Sequence, residues 1–122
     1  MTKNDFKEYC EENNLRYKKD ACGDPISPSR RGSKNDQLYW TGTDQIGIYA
    51  ERETKKKFTF LKKKLLEAGA QPNQDGDTDG TFMASKSDAL AIAKILGCVK
   101  NRMTQETRDK MSTLLKERWY ND

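Results

Sequence analysis

Residues 37–50 read QLYWTGTDQIGIYA, and this stretch sets the expected fold. Gln37–Trp40 and Ile46–Ala50 are short runs rich in aromatic and β-branched side chains, the types that fit a pleated, half-buried surface. Between them Thr41-Gly42-Thr43-Asp44 has the composition of a tight turn. Two strands joined so closely pair antiparallel. Downstream, Leu61, Leu65 and Ala68 fall on one face at helical spacing, with Thr59 as the expected cap, Gly69 as the stop, and Lys62, Lys63 and Lys64 expected to point outward. The same succession then recurs. A turn from Asp75 to Gly80 separates a short strand from Thr81–Ala84. Ser85 or Ser87 caps a further helix in which Leu90, Ile92, Ala93 and Leu96 bury, and Gly97 ends it. A strand-strand-helix unit used twice predicts an α+β fold, a small antiparallel sheet with helices on one face.

Working outward, residues 4–14 have the pattern of an N-terminal helix, with Asn4 or Thr2 as cap and Phe6, Tyr9 and Cys10 on one side. The stretch from Asp20 to Asp36 carries prolines, glycines and no periodicity, which predicts a loop. Residues 1–99 are therefore expected to form one compact domain, and residues 100–122 a basic C-terminal helical extension.

Composition narrows the function. Apolar and charged residues each make up 34% of the 122, so the core is modest and most of the chain is surface. No apolar run approaches the roughly 18 residues of a membrane span. Residues 1–14 are too polar and acidic for a signal peptide, and a cytoplasmic location is expected. The three cysteines, Cys10, Cys22 and Cys98, are odd in number and irregularly spaced, the pattern of reduced, buried thiols. Histidine is absent. That removes Ser-His-Asp and Cys-His catalysis and the usual Cys/His zinc sites. No enzyme activity, cofactor or metal is expected.

Two short motifs have stronger alternatives. The run Asp75-Gly-Asp-Thr-Asp-Gly80 resembles the opening of an EF-hand calcium loop, yet Lys86 stands where the bidentate glutamate belongs. Its last letters are also similar to the end of the LAGLIDADG homing endonuclease motif, without the helix pattern that precedes it there. A Gly/Asp turn between two strands accounts for the same residues. Gly47-Ile48-Tyr49 is similar to the first signature of GIY-YIG nucleases, but Lys57-Phe58-Thr59-Phe60 stands where the second signature would fall. A strand with a buried Ile48 is expected.

The formal net charge is +4, and its distribution matters more than its size. Basic residues gather at Arg30 and Arg31, from Lys55 to Lys64, and from Lys100 to Arg118. The last segment carries six basic and three acidic side chains. Within it Thr104 suits an N-cap, and Met111, Leu114, Leu115 and Trp119 make an apolar stripe with Arg108 and Arg118 on the same side. A face combining small apolar area with guanidinium groups suits a DNA minor groove. Residues 104–112, with Lys116 after them, resemble the nuclease-associated modular DNA-binding motif of homing endonucleases. Arg108, Lys110, Met111, Ser112 and Lys116 agree with it, while Asp109 and Leu114-Leu115 depart. The resemblance implies a short helix in the minor groove of duplex DNA. The chain also resembles small uncharacterised bacteriophage proteins, through Gly23-Asp24-Pro25 and Gln74 to Asp77, which implies a phage or mobile-element origin.

The sequence therefore predicts a non-catalytic DNA-binding accessory protein. Its expected nucleic-acid contacts are Arg30, Arg31, Lys62, Lys63, Lys100, Arg102, Arg108, Lys110, Lys116 and Arg118. The rival reading is a phage-encoded inhibitor or interaction module that covers a host or defence protein with an aromatic patch drawn from Tyr39, Trp40, Trp119 and Tyr120.

Overall fold

The computed structural model describes residues 1–30 and 35–100. Three helices, α1 (Lys3–Glu12), α2 (Lys55–Glu67) and α3 (Lys86–Leu96), pack on a sheet of six strands: β1 (Lys18–Lys19), β2 (Pro25–Pro28), β3 (Gln37–Trp40), β4 (Ile46–Glu51), β5 (Gln71–Asp75) and β6 (Asp79–Ala84). Their order in the sheet is β1-β2-β3-β4-β6-β5, antiparallel throughout. The fold class is α+β, and the two expected strand-strand-helix runs are β3-β4-α2 and β5-β6-α3. No described helix is long and apolar enough to cross a membrane.

Strand register sorts the side chains. Ser27, Leu38, Ile48 and Phe82 lie in one cross-strand row, and Ile26, Tyr39, Gly47 and Met83 in the next. Successive residues of a strand point to opposite faces, so the first row faces the helices and the second faces away. Leu38, Ile46, Ile48 and Phe82 are wholly buried beneath Phe6 and Cys10 of α1, Phe58, Leu61 and Leu65 of α2, and Ala89, Ile92, Ala93 and Leu96 of α3. Ile48 is buried as its strand position requires.

The structure corrects several local expectations. The 20–36 stretch is not all loop, because β2 lies within it and pairs with β3. Its prolines are the first and last residues of that strand, where a missing N–H is tolerated. The second helix starts a turn earlier than Thr59. Thr54 is the cap, and its side chain accepts from the Lys57 N–H. Thr59 sits inside α2 and donates its hydroxyl to the Lys55 carbonyl. Phe58 is the core contact that the spacing from Leu61 left out. In α1 the cap is Thr2, in a reciprocal capping box with Asp5. Ser85 caps α3, and Gly97 closes it in the left-handed conformation. Leu90 is only half-buried, and Ala89 takes the inward position. Cys10 and Cys98 are buried as expected, and burial pushes both thiols up to about 12; Cys22 is exposed instead.

Ser27 occupies the helix-facing row of β2, and its buried hydroxyl has no oxygen or nitrogen partner among the described residues, only the weakly accepting Cys10 thiol beside it. An unsatisfied buried hydroxyl costs on the order of 1 kcal/mol. Ser27→Ala is therefore expected to raise the unfolding midpoint slightly in denaturant titration, and a clear loss of stability would show that the hydroxyl is bonded.

Candidate nucleic-acid interface

The α2 sequence, KKKFTFLKKKLLE, alternates core anchors with lysines. With Phe58, Leu61 and Leu65 turned inward, a helical advance of 100° per residue puts Lys56, Phe60, Lys63 and Glu67 on the opposite, solvent face. Phe60 is 63% exposed, and the Lys64 ammonium lies 4.5 Å from its ring centre. The sequence reading missed Phe60. Its signal is that it falls out of phase with the three core residues around it.

The lysines do not act alike. Lys62 is half-buried and ion-paired with Asp75, so the structure turns it toward the sheet edge and not outward. Lys55 stands 3.9 Å from Asp77, and Lys57 3.7 Å from Glu53. The β5–β6 turn that resembled a calcium loop thus has cations of α2 beside two of its carboxylates. Lys56 and Lys63 make no ion pair among the described residues. The first turn of α2 contains no acidic residue, so the positive end of the helix dipole adds to these charges. Lys63, Lys64 and Lys56 are exposed beside the only large aromatic ring among the described residues that stands mostly in solvent.

A second basic group forms elsewhere. The chain returns from α3 to bridge Leu15 with Val99. There the Lys100 N–H donates to the Asn14 carbonyl (2.8 Å), and the Arg30 N–H to the Gly97 carbonyl (2.9 Å). Arg16, which the sequence reading did not single out, joins them: its guanidinium donates to the Ser29 carbonyl at 3.0 Å. Arg30 and Lys100 are exposed and Arg16 half-buried. This group lies by β2, whereas Lys62 is tied to β5 at the far side of the sheet. The fold does not merge the two clusters. Arg31, Arg102, Arg108, Lys110, Lys116 and Arg118 lie outside the described residues, as does the helix expected over residues 104–118.

Chemically, the α2 face offers ammonium groups and one ring, a set suited to holding an anionic chain. Comparison with protein-family models, curated proteins and solved structures finds no match to this chain.

Proposed function

We propose that the protein is a non-catalytic nucleic-acid-binding accessory protein that holds the phosphate backbone of duplex DNA. The observation that carries this reading is the solvent face of α2, where Lys56, Lys63 and Lys64 surround the exposed Phe60 while the neighbouring carboxylates engage Lys55, Lys57 and Lys62. Lysine contacts to phosphate release counterions and carry no base preference. In this reading the basic segment from Lys100 onward supplies the minor-groove contact that its motif resemblance implies, through Arg102, Arg108, Lys110, Lys116 and Arg118.

The test is fluorescence anisotropy with a labelled duplex over a range of salt. Lys56→Glu with Lys63→Glu should weaken binding by at least about tenfold and reduce the salt slope by roughly 2, one unit per phosphate contact. Arg108→Glu with Lys110→Glu measures the C-terminal contribution in the same assay. No binding at low salt, or binding indifferent to both charge reversals, would overturn the reading.

A further inference from the structure

The sheet face turned away from the helices has no layer over it among the described residues. Its centre is built from aromatic rings on a glycine. A Cβ placed on Gly47 would stand 2.3 Å from Cε2 of Tyr39 and 2.4 Å from its Cζ. The Tyr39 ring therefore lies flat across β4, and its hydroxyl reaches Thr81 on β6. Tyr49 stands beside it on the same face, two residues beyond Gly47.

Two hollows open on this floor, of about 270 Å³ and about 320 Å³, and both are lined by Tyr49 and Thr81. They adjoin at Tyr49 and Thr81, and their linings make a groove that reaches from Asp20, before β2, to Gly76 in the β5–β6 turn. It runs across the strands. Four strand spacings amount to roughly 19 Å, the length of about six residues of extended chain.

The charge of the groove is opposite to that of α2. Its walls include Asp20, Asp24, Asp75 and Asp79 and, among the described residues, no lysine or arginine. Asp24 and Asp75 pair outward with Lys3 and Lys62. Asp79 and Asp20 make no ion pair among the described residues, the latter accepting from the Cys22 and Asp24 N–H groups, while Glu51 is engaged by Asn35 and Tyr49. The Tyr49 hydroxyl lies 2.9 Å from Glu51 Oε2 and 3.5 Å from Asp79 Oδ2, so one phenol proton serves two carboxylates. Among the described strand residues, Lys18 in the outermost strand is the one cation that register puts on this face.

We infer that this groove docks an extended, arginine- or lysine-bearing segment of another protein, whose cationic side chains lie on the Tyr39 and Tyr49 rings and against Asp79. Ring faces attract cations and the carboxylates add to the attraction. Phosphates would meet the same carboxylates as repulsion, which separates this face from the α2 face and disfavours nucleic acid here. Strand addition at the sheet edges is the weaker route to a protein partner. At one edge β1 has only two residues, and at the other β5 carries Pro72 and a register shift before Gln74, features that blunt an edge. The inference stands independently of the nucleic-acid reading.

The test is an amide-resolved NMR titration of the whole chain with an acetylated oligo-arginine peptide, with oligo-glutamate and oligo-thymidylate as comparison probes. Oligo-arginine should shift Tyr39, Tyr49 and Thr81, and oligo-glutamate should not. Tyr39→Leu, which removes the ring, and Thr81→Lys, which puts a cation on the floor, should each weaken binding by at least about fivefold. Both variants must keep the dispersed spectrum of the parent, and either alone suffices if the other fails to fold. Shifts centred on Glu8, Glu11 and Glu12 of α1, unchanged affinity in the folded variant, or oligo-thymidylate moving the same three amides would overturn the inference.

Discussion

Arg52→Met is expected to lower the thermal unfolding midpoint at neutral pH by about 10 °C, an effect of roughly 3 kcal/mol in a chain of this size. Asp36 is wholly buried, and its carboxylate accepts from the Arg52 guanidinium at 2.6 Å and from the Glu51 N–H at 3.0 Å. Its own carbonyl accepts from the Ser29 N–H. One residue thus ties the end of β2 and the start of β3 to the end of β4. Removing the arginine leaves a buried charge with one hydrogen bond, which costs more than the pair contributed when intact. The Arg52 side chain is 21% exposed, so the effect is set at the lower end of what a fully buried pair would show.

The same variant has a pH signature. Burial raises the Asp36 carboxyl above the ordinary aspartate value, while its hydrogen bonds from Glu51 and Arg52 and the charge of Arg52 pull it back. A carboxyl raised in the folded state binds its proton more tightly there than in the unfolded chain. Its favourable contribution is therefore present at low pH and is lost as pH rises through the folded-state value. Without Arg52 the carboxyl rises further and the penalty above it grows. The stability gap between parent and variant should accordingly narrow as pH falls toward about 4. A gap that stays constant across that range in denaturant titrations at several pH values would refute the assignment of the effect to a buried, unpaired Asp36.

Gly47→Ala is the second large effect. The added methyl would stand 2.3 Å from the Tyr39 ring, well inside van der Waals contact, so the ring must leave the sheet floor. Overpacking of this kind costs about 2 kcal/mol. Because the clash is with one side chain, Tyr39→Ala in the same background should remove most of the added cost. The double variant then loses less than the sum of the two single ones, a coupling of about 1 kcal/mol or more. Additive losses in denaturant midpoints would mean that the cost of Gly47→Ala arises from the backbone and not from the ring. The two effects are separable, since Arg52 and Asp36 secure the strand ends while Gly47 and Tyr39 shape the uncovered face.

How much of the fold was legible depended on which interactions each element needs. The β3–β4 hairpin, the β5–β6 turn and the caps at Thr2, Ser85 and Gly97 are local, and their residues carry the signal themselves. The loop expected over residues 20–36 hid β2 because its prolines remove the usual strand pattern. Only pairing with β3 makes the segment extended. The start of α2 was misplaced because Thr54 and Thr59 are equally good caps in isolation, and the burial of Phe58 decides between them.

The candidate interface divides in the same way. That lysines concentrate between Lys55 and Lys64 is a fact of sequence. Which of them face solvent is not, because Lys62 is drawn aside by Asp75 and Lys55 lies by Asp77, partners more than a dozen residues away. The sequence by itself determined the α+β class, the absence of histidine chemistry and the places where positive charge accumulates, since composition, period and turn residues act over a few positions. Tertiary structure alone decided that Tyr39 lies across Gly47, that Asp36 meets Arg52, and that an acidic groove lies on the sheet face opposite the basic helix α2. Those features come from strand register, and register is set by burial of the whole sheet beneath three helices.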